Sequence, residues 1–115
     1  MLTQRYINDI LIIDVKGDVD IEKMEEIKNV ISSLMDKDKH KVVLGLKNTK
    51  HINYSAINVL VERLQKLRQY HGDLKLVGVN DYLNNIFRVA GAYNQFDSYA
   101  SVENAVKSFE EEGKD

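Results

Sequence analysis

At 115 residues the chain holds enough for one hydrophobic core and leaves no room for a second. Hydrophobic residues make up 43% and charged residues 30%, a globular balance that argues against disorder. Sixteen Lys and Arg are interleaved with 18 acids, for a net charge of -2, so the clustered basic face that a nucleic acid needs is not expected. Cysteine is absent, which removes disulfides, a thiolate nucleophile and Cys-based zinc. Met1 to Asp9 lacks the basic-then-apolar layout of a signal peptide. No apolar run reaches the roughly 18 residues of a membrane span. The expected place is the cytoplasm, with no membrane partner.

Ile10 to Val15 is a short β-branched run suited to a buried strand. Leu2 to Ile7 can pair with it through a turn at Asn8-Asp9, since Asn and Asp tolerate turn conformations. Gly17, Asp18 and Asp20 break the run, and Asp18 or Asp20 can cap the next helix. That helix places Met24, Ile27, Ile31, Leu34 and Met35 on one face, and the polar stretch Asp36 to His40 ends it.

Val42 to Leu46 is the second buried strand. A second helix starts near Ser55, with Ile57, Leu60, Val61, Leu64 and Leu67 at helical spacing and Gly72 at its end. Glu62 and Lys66 form an i, i+4 pair on its outer face. Leu74 to Val79 reads as a third strand. Asn80 or Asp81 then caps a helix carrying Leu83, Ile86, Phe87 and Ala90, closed by Gly91. Phe96 to Tyr99 is a short strand, and Ser101 caps a last helix with Val102, Ala105, Val106 and Phe109 inward. Glu110 to Glu112 put negative charge at that helix's C-terminal end, which its dipole disfavours, so fraying is expected there.

Strand-helix alternation of this kind predicts an α/β fold with a largely parallel sheet, occupying residues 1–115 as one domain. The six glycines are isolated, so neither GxGxxG nor GxxxxGK[ST] occurs. His40, His51 and His71 have no metal-ligand spacing, and no GxSxG elbow is present. A phosphate-accepting receiver domain needs a carboxylate at the end of a central strand, but the second and third strands end Leu46-Lys47-Asn48 and Val79-Asn80. No enzyme activity, metal or cofactor is expected.

The informative segment is residues 42–60, VVLGLKNTKHINYSAINVL: a buried strand, a polar loop, one apolar residue, then a serine opening an amphipathic helix. A serine there is a good N-cap whose hydroxyl accepts a backbone N–H. A helix start also favours an anion, and Asn53 and Tyr54 before the serine leave its hydroxyl reachable. The segment resembles the STAS family of anti-sigma-factor antagonists. In that family an aliphatic residue precedes Asp-Ser-Ser/Thr-Gly-Leu-Gly at the helix start, and here Ile52 to Asn58 occupy those positions. The turn at Val15 to Asp20, the strand after Gly72 and the stretch Ile86 to Ala92 are similar to the family as well. Asn53 stands where the family has aspartate, Tyr54 at the second position, Ala56 where it has glycine, and Gly45 where it has a mid-strand aspartate.

The resemblance implies a STAS-like sheet of four to five mostly parallel strands with four helices. It also implies a protein-binding switch. The unphosphorylated chain would bind an anti-sigma factor with serine kinase activity and release a sigma factor. Phosphorylation at Ser55 would end binding, and a serine phosphatase would restore it. Asn53, Tyr54, Ser55, Asn58 and Glu62 are the expected partner-binding residues. A signalling scaffold without a phosphorylation switch, or a small-molecule binder of the same fold, remain the alternatives.

Overall fold

Three parallel strands at the centre of the sheet are almost wholly apolar, and helices cover them on both faces. The computed structural model describes residues 1–112. The strands are β1 (Leu2–Ile7), β2 (Ile10–Lys16), β3 (Lys41–Asn48), β4 (Asp73–Val77) and β5 (Ser98–Tyr99), side by side in that order. β1 pairs antiparallel with β2 through a tight turn in which Asn8 takes a positive φ of 57°. All other neighbours run parallel. The sequence-based strand ends shift by a few residues: β3 runs on to Asn48, β4 stops at Val77 before Gly78 (φ 75°), and Phe96 lies outside β5.

The helices are α1 (Ile21–Asp36), α2 (Ile57–Gln69), α3 (Asp81–Val89) and α4 (Val102–Glu112). Alternation along each strand sends side chains to opposite faces. Leu11, Ile13, Val42, Leu44, Leu74 and Leu76 pack with the apolar stripes of α1, α2 and α3. Ile10, Ile12, Val43 and Val77 pack with Ala105, Val106 and Phe109 of α4. Burial of each such Val, Leu, Ile or Phe side chain is worth about 1.5–3 kcal/mol.

The caps decide where the helices stop. Of the two candidate aspartates, Asp20 caps α1, accepting from the Lys23 N–H at 2.7 Å. Asn80, not Asp81, caps α3, and Ser101 caps α4. α1, α2 and α3 all end in the paired bonds of a Schellman turn: Lys39 N–H to Leu34 O, Gly72 N–H to Leu67 O, and Ala92 N–H to Phe87 O. In α2 the left-handed residue is His71 (φ 64°) and not Gly72. Gly72 answers a different need. A Cβ there would lie 1.8 Å from the His40 carbonyl oxygen.

Sequence reasoning passed over the most deeply buried charge, Lys75. Lys75 points to the α4 face of β4 and is fully buried. Its ammonium donates to Ser108 Oγ at 2.6 Å and to Glu112 Oε1 at 2.8 Å, and lies 4.2 Å from the centre of the Phe109 ring. Glu110 accepts from the Asn8 side chain at 3.1 Å. Two of the three acids expected to loosen the end of α4, Glu110 and Glu112, are therefore engaged by groups outside the helix, and α4 runs through Glu112.

Two stability predictions follow from these contacts. Gly72→Ala must displace backbone, whereas Gly91→Ala meets open space and suffers only its positive φ of 77°. Urea unfolding should show the first costing more than the second, for which about 1–2 kcal/mol is expected. Equal costs would refute the steric account. Glu112→Gln leaves an ammonium buried without its counter-charge, while Lys75→Met replaces that charge with apolar volume and leaves Glu112 to solvent. Glu112→Gln should therefore destabilise by about 1–3 kcal/mol and more than Lys75→Met, a ranking that denaturant midpoints would check.

Candidate functional site

The site is built where two chain connections leave the sheet on the same side. After β2 the chain passes through Val19, and after β3 through Ile52, and these two residues form a parallel bridge. Val19 N–H donates to His51 O at 2.9 Å, and Asn53 N–H donates to Val19 O at 2.8 Å. Both bridge residues are buried. The backbone of residue 53 is thereby fixed against the core, with α2 starting only a few residues later.

A single 3-10 turn, Tyr54–Ala56, precedes α2. Its N-cap is Asn53, which corrects the expectation that Ser55 caps the helix. Asn53 Oδ1 accepts from the Ser55 N–H at 3.0 Å and from the Ser55 hydroxyl at 2.7 Å. Ser55 Oγ is thus a donor, and it lies in the turn, two residues ahead of Ile57, the first residue of α2. The cause is the geometry of Asn: its short amide reaches the N–H two residues on, and the serine is left outside. Ala56 is buried with φ -83° and ψ -14°, an ordinary right-handed conformation. Glycine's freedom is not needed at that position, so the alanine fits.

Around this turn the expected partner-binding residues share one solvent-facing track. Asn53 is half-buried, whereas Tyr54, Ser55, Asn58 and Glu62 are exposed. Tyr54 is 61% accessible although it is a large ring. Asn58 and Glu62 fall one turn apart on the outer face of α2. Glu62 does not pair with Lys66 as the spacing predicted. Its carboxylate accepts from Arg63 at 2.7 Å, and that hydrogen bond holds its pKa below the ordinary carboxylate value. Arg63 is itself buried, reaching Ser32 of α1 at 2.9 Å. The adjacent guanidinium outcompetes a lysine one turn away.

Beside the turn lies a mostly apolar groove of about 440 Å³, with Ile52 at its base and Tyr54, Tyr82, Ile86 and Val89 along its walls. Tyr82 and Val89 are exposed, and Tyr82 Oη lies 3.2 Å from His51 Nδ1. Sequence reasoning missed these α3 residues because it assigned only the buried stripe. The available signal was that Tyr82 and Val89 are apolar positions off that stripe. At the far side of the sheet Gly45 pairs directly with Asp14, and a Cβ at 45 would lie 2.5 Å from Asp14 Oδ1. A side chain at 45 would have to displace that carboxylate. Among the described residues, no group of three or more His, Asp or Glu is arranged to hold a metal, and no helix is long and apolar enough to cross a membrane.

The chain is similar to known proteins over almost its whole length. BtrV of Bordetella bronchiseptica, provisionally named an anti-sigma factor antagonist, is 27% identical over 108 residues, covering 94% of this chain and 93% of that one. The anti-sigma factor antagonist SpoIIAA in its unphosphorylated form superposes with a TM-score of 0.84 at 15% identity, covering 96% of this chain and 97% of that one. The Bacillus cell fate determinant SpoIIAA in its phosphorylated form does so at 0.74 and 15% identity, covering 95% and 99%. The STAS domain family model matches residues 3–105, and the chain, with its mixed five-stranded sheet and four helices, belongs to the STAS family.

Proposed function

We propose that the chain is a single-domain anti-sigma factor antagonist of the cytoplasm, switched by phosphorylation of Ser55. Unphosphorylated, it binds an anti-sigma factor that is also a serine kinase, and a sigma factor is released. Phosphorylation ends binding and a serine phosphatase restores it. The nucleotide belongs to the partner, and the chain contributes no catalytic group and no cofactor. The observation that carries this reading is the Ser55 hydroxyl: exposed, outside the helix cap, and at the position that matches the family's phosphorylated serine. Relatives named as anti-sigma factor antagonists support the partner class.

The electrostatics of the switch are local. A phosphate adds about -1.5 to -2 charges at pH 7. Placed beside Tyr54, Asn58 and Glu62, it would have to be desolvated by a docking partner, and an unpaired buried charge is expensive. Tyr54 supplies the aromatic anchor typical of interface hot spots. Asn58 and Glu62 extend the contact along α2.

Affinity capture with mass spectrometry identifies the partner. Ser55→Asp should then weaken its binding at least about tenfold, or about 1.4 kcal/mol, while Ser55→Ala binds as wild type. Ser55→Ala removes one exposed hydroxyl bond and leaves the Asn53 cap on the residue 55 N–H, so its stability cost should stay near 1 kcal/mol. Incubation with the captured kinase and ATP should place phosphate on Ser55. Ser98 and Ser101 are the competing sites, since Thr49 is buried with its hydroxyl on Val15 O. Wild-type binding by Ser55→Asp together with no phosphate on Ser55 would replace the switch with a scaffold role. A further expectation is that the pure protein hydrolyses no nucleotide. ATP turnover abolished by a substitution within the chain would overturn it.

A further inference from the structure

Asn53 Oδ1 is the sole protein partner of the Ser55 hydroxyl among the described residues, and it also caps the turn through the Ser55 N–H. Two donors converge on one oxygen, which assigns that side of the amide as the acceptor. The amide nitrogen, on the opposite side, makes no hydrogen bond among the described residues. Phosphorylation alters this arrangement. Ser55 Oγ forms a bond to the γ-phosphorus of a nucleoside triphosphate held by the kinase. The phosphorus–oxygen bond to the β-phosphate breaks, nucleoside diphosphate leaves, and the hydroxyl proton passes to a base of the kinase. The hydroxyl donor to Oδ1 is then gone, and acceptor oxygens stand in its place.

We propose that Asn53 is a two-state positioning residue for Ser55. Its Oδ1 holds the free hydroxyl and the Ser55 N–H; on phosphorylation, rotation about χ2 turns its Nδ2–H₂ onto the phosphoryl oxygens, one of which takes over the Ser55 N–H from Oδ1, so that the turn keeps its hydrogen bonds without charge repulsion. An amide can make this exchange because it carries an acceptor and two donors on one planar group. A carboxylate of the same shape cannot, because it only accepts. The groove wall beside the turn adds no opposing carboxylate: its polar members are His51, Asn53, Tyr54, Tyr82 and Asn85. The inference rests on Ser55 being the modified residue.

The test installs phosphoserine at position 55 during translation, so it does not depend on any kinase. In the wild-type sequence the Asn53 side-chain amide protons should move downfield in a ¹⁵N–¹H correlation spectrum on phosphorylation. Phosphorylation should lower Tm by about 3–6 °C more in Asn53→Asp than in wild type, from one added like charge at hydrogen-bonding range. Unphosphorylated Asn53→Asp should keep the wild-type Tm, because Asp caps as well as Asn. Should that variant not fold, the wild-type amide shift decides alone. Unmoved amide protons, or phosphorylated Asn53→Asp as stable as phosphorylated wild type, would reduce Asn53 to a cap. Either result leaves the kinase-mapping experiment on Ser55 untouched, so the two readings fail separately.

Discussion

The burial of β3 on both faces constrains everything else. Val42, Val43, Leu44 and Leu46 are all at most 1% accessible, with α1, α2 and α3 on one side and α4 on the other. A strand enclosed this way can only be left at its ends, so functional side chains collect at the C-terminal edge of the parallel strands, where the connections emerge. The backbone leaving β3 must still satisfy its N–H and C=O groups while crossing to α2. It does so by pairing Ile52 with Val19, which extends strand geometry past the end of the sheet. Within three residues the chain passes from a buried aliphatic, through a half-buried cap, to an exposed hydroxyl.

Enclosure also explains the exceptions inside the core. Lys75 occupies a position where an aliphatic residue is expected. Its ammonium is accommodated because α4 brings Ser108 and Glu112 to it, and because the Phe109 ring faces the charge. A fully buried charge is tolerated only with such partners. The same packing accounts for Gly45, which gives its space to the Asp14 side chain across the β2–β3 pair.

How much was legible in the sequence divides along physical lines. Strand-helix alternation, the helix stripes and most caps are local, and they were readable because periodicity and cap chemistry depend on neighbours in sequence. What local pattern could not rank was competition. Asn53 and Ser55 both cap well, and the amide wins because the bridge at Val19 fixes residue 53 at the turn's entry. Glu62 had two cations within reach, and Arg63 wins because it is held against Ser32 of another helix. Lys75 and the groove-forming Tyr82 depend on tertiary contacts 30 or more residues away, which no window of sequence contains.

On the proposed reading, the architecture bears on how a modification at Ser55 is read. The residues on either side, Ile52, Ala56 and Ile57, are all at most 2% accessible and belong to the main core. A conformational signal sent inward would have to displace them from close packing, and interiors resist gradual deformation. A ligand or modification shifts a conformational equilibrium only by its differential interaction with two states, and the backbone of this turn is anchored on both sides by core residues. The hydroxyl, by contrast, faces solvent. The economical route for the signal is therefore outward: a partner meets the charge directly, at the same surface where it meets Tyr54 and the outer face of α2. That route places the burden of discrimination on the few side chains that contact residue 55, which is why the identity of residue 53 matters more than its role as a cap alone suggests.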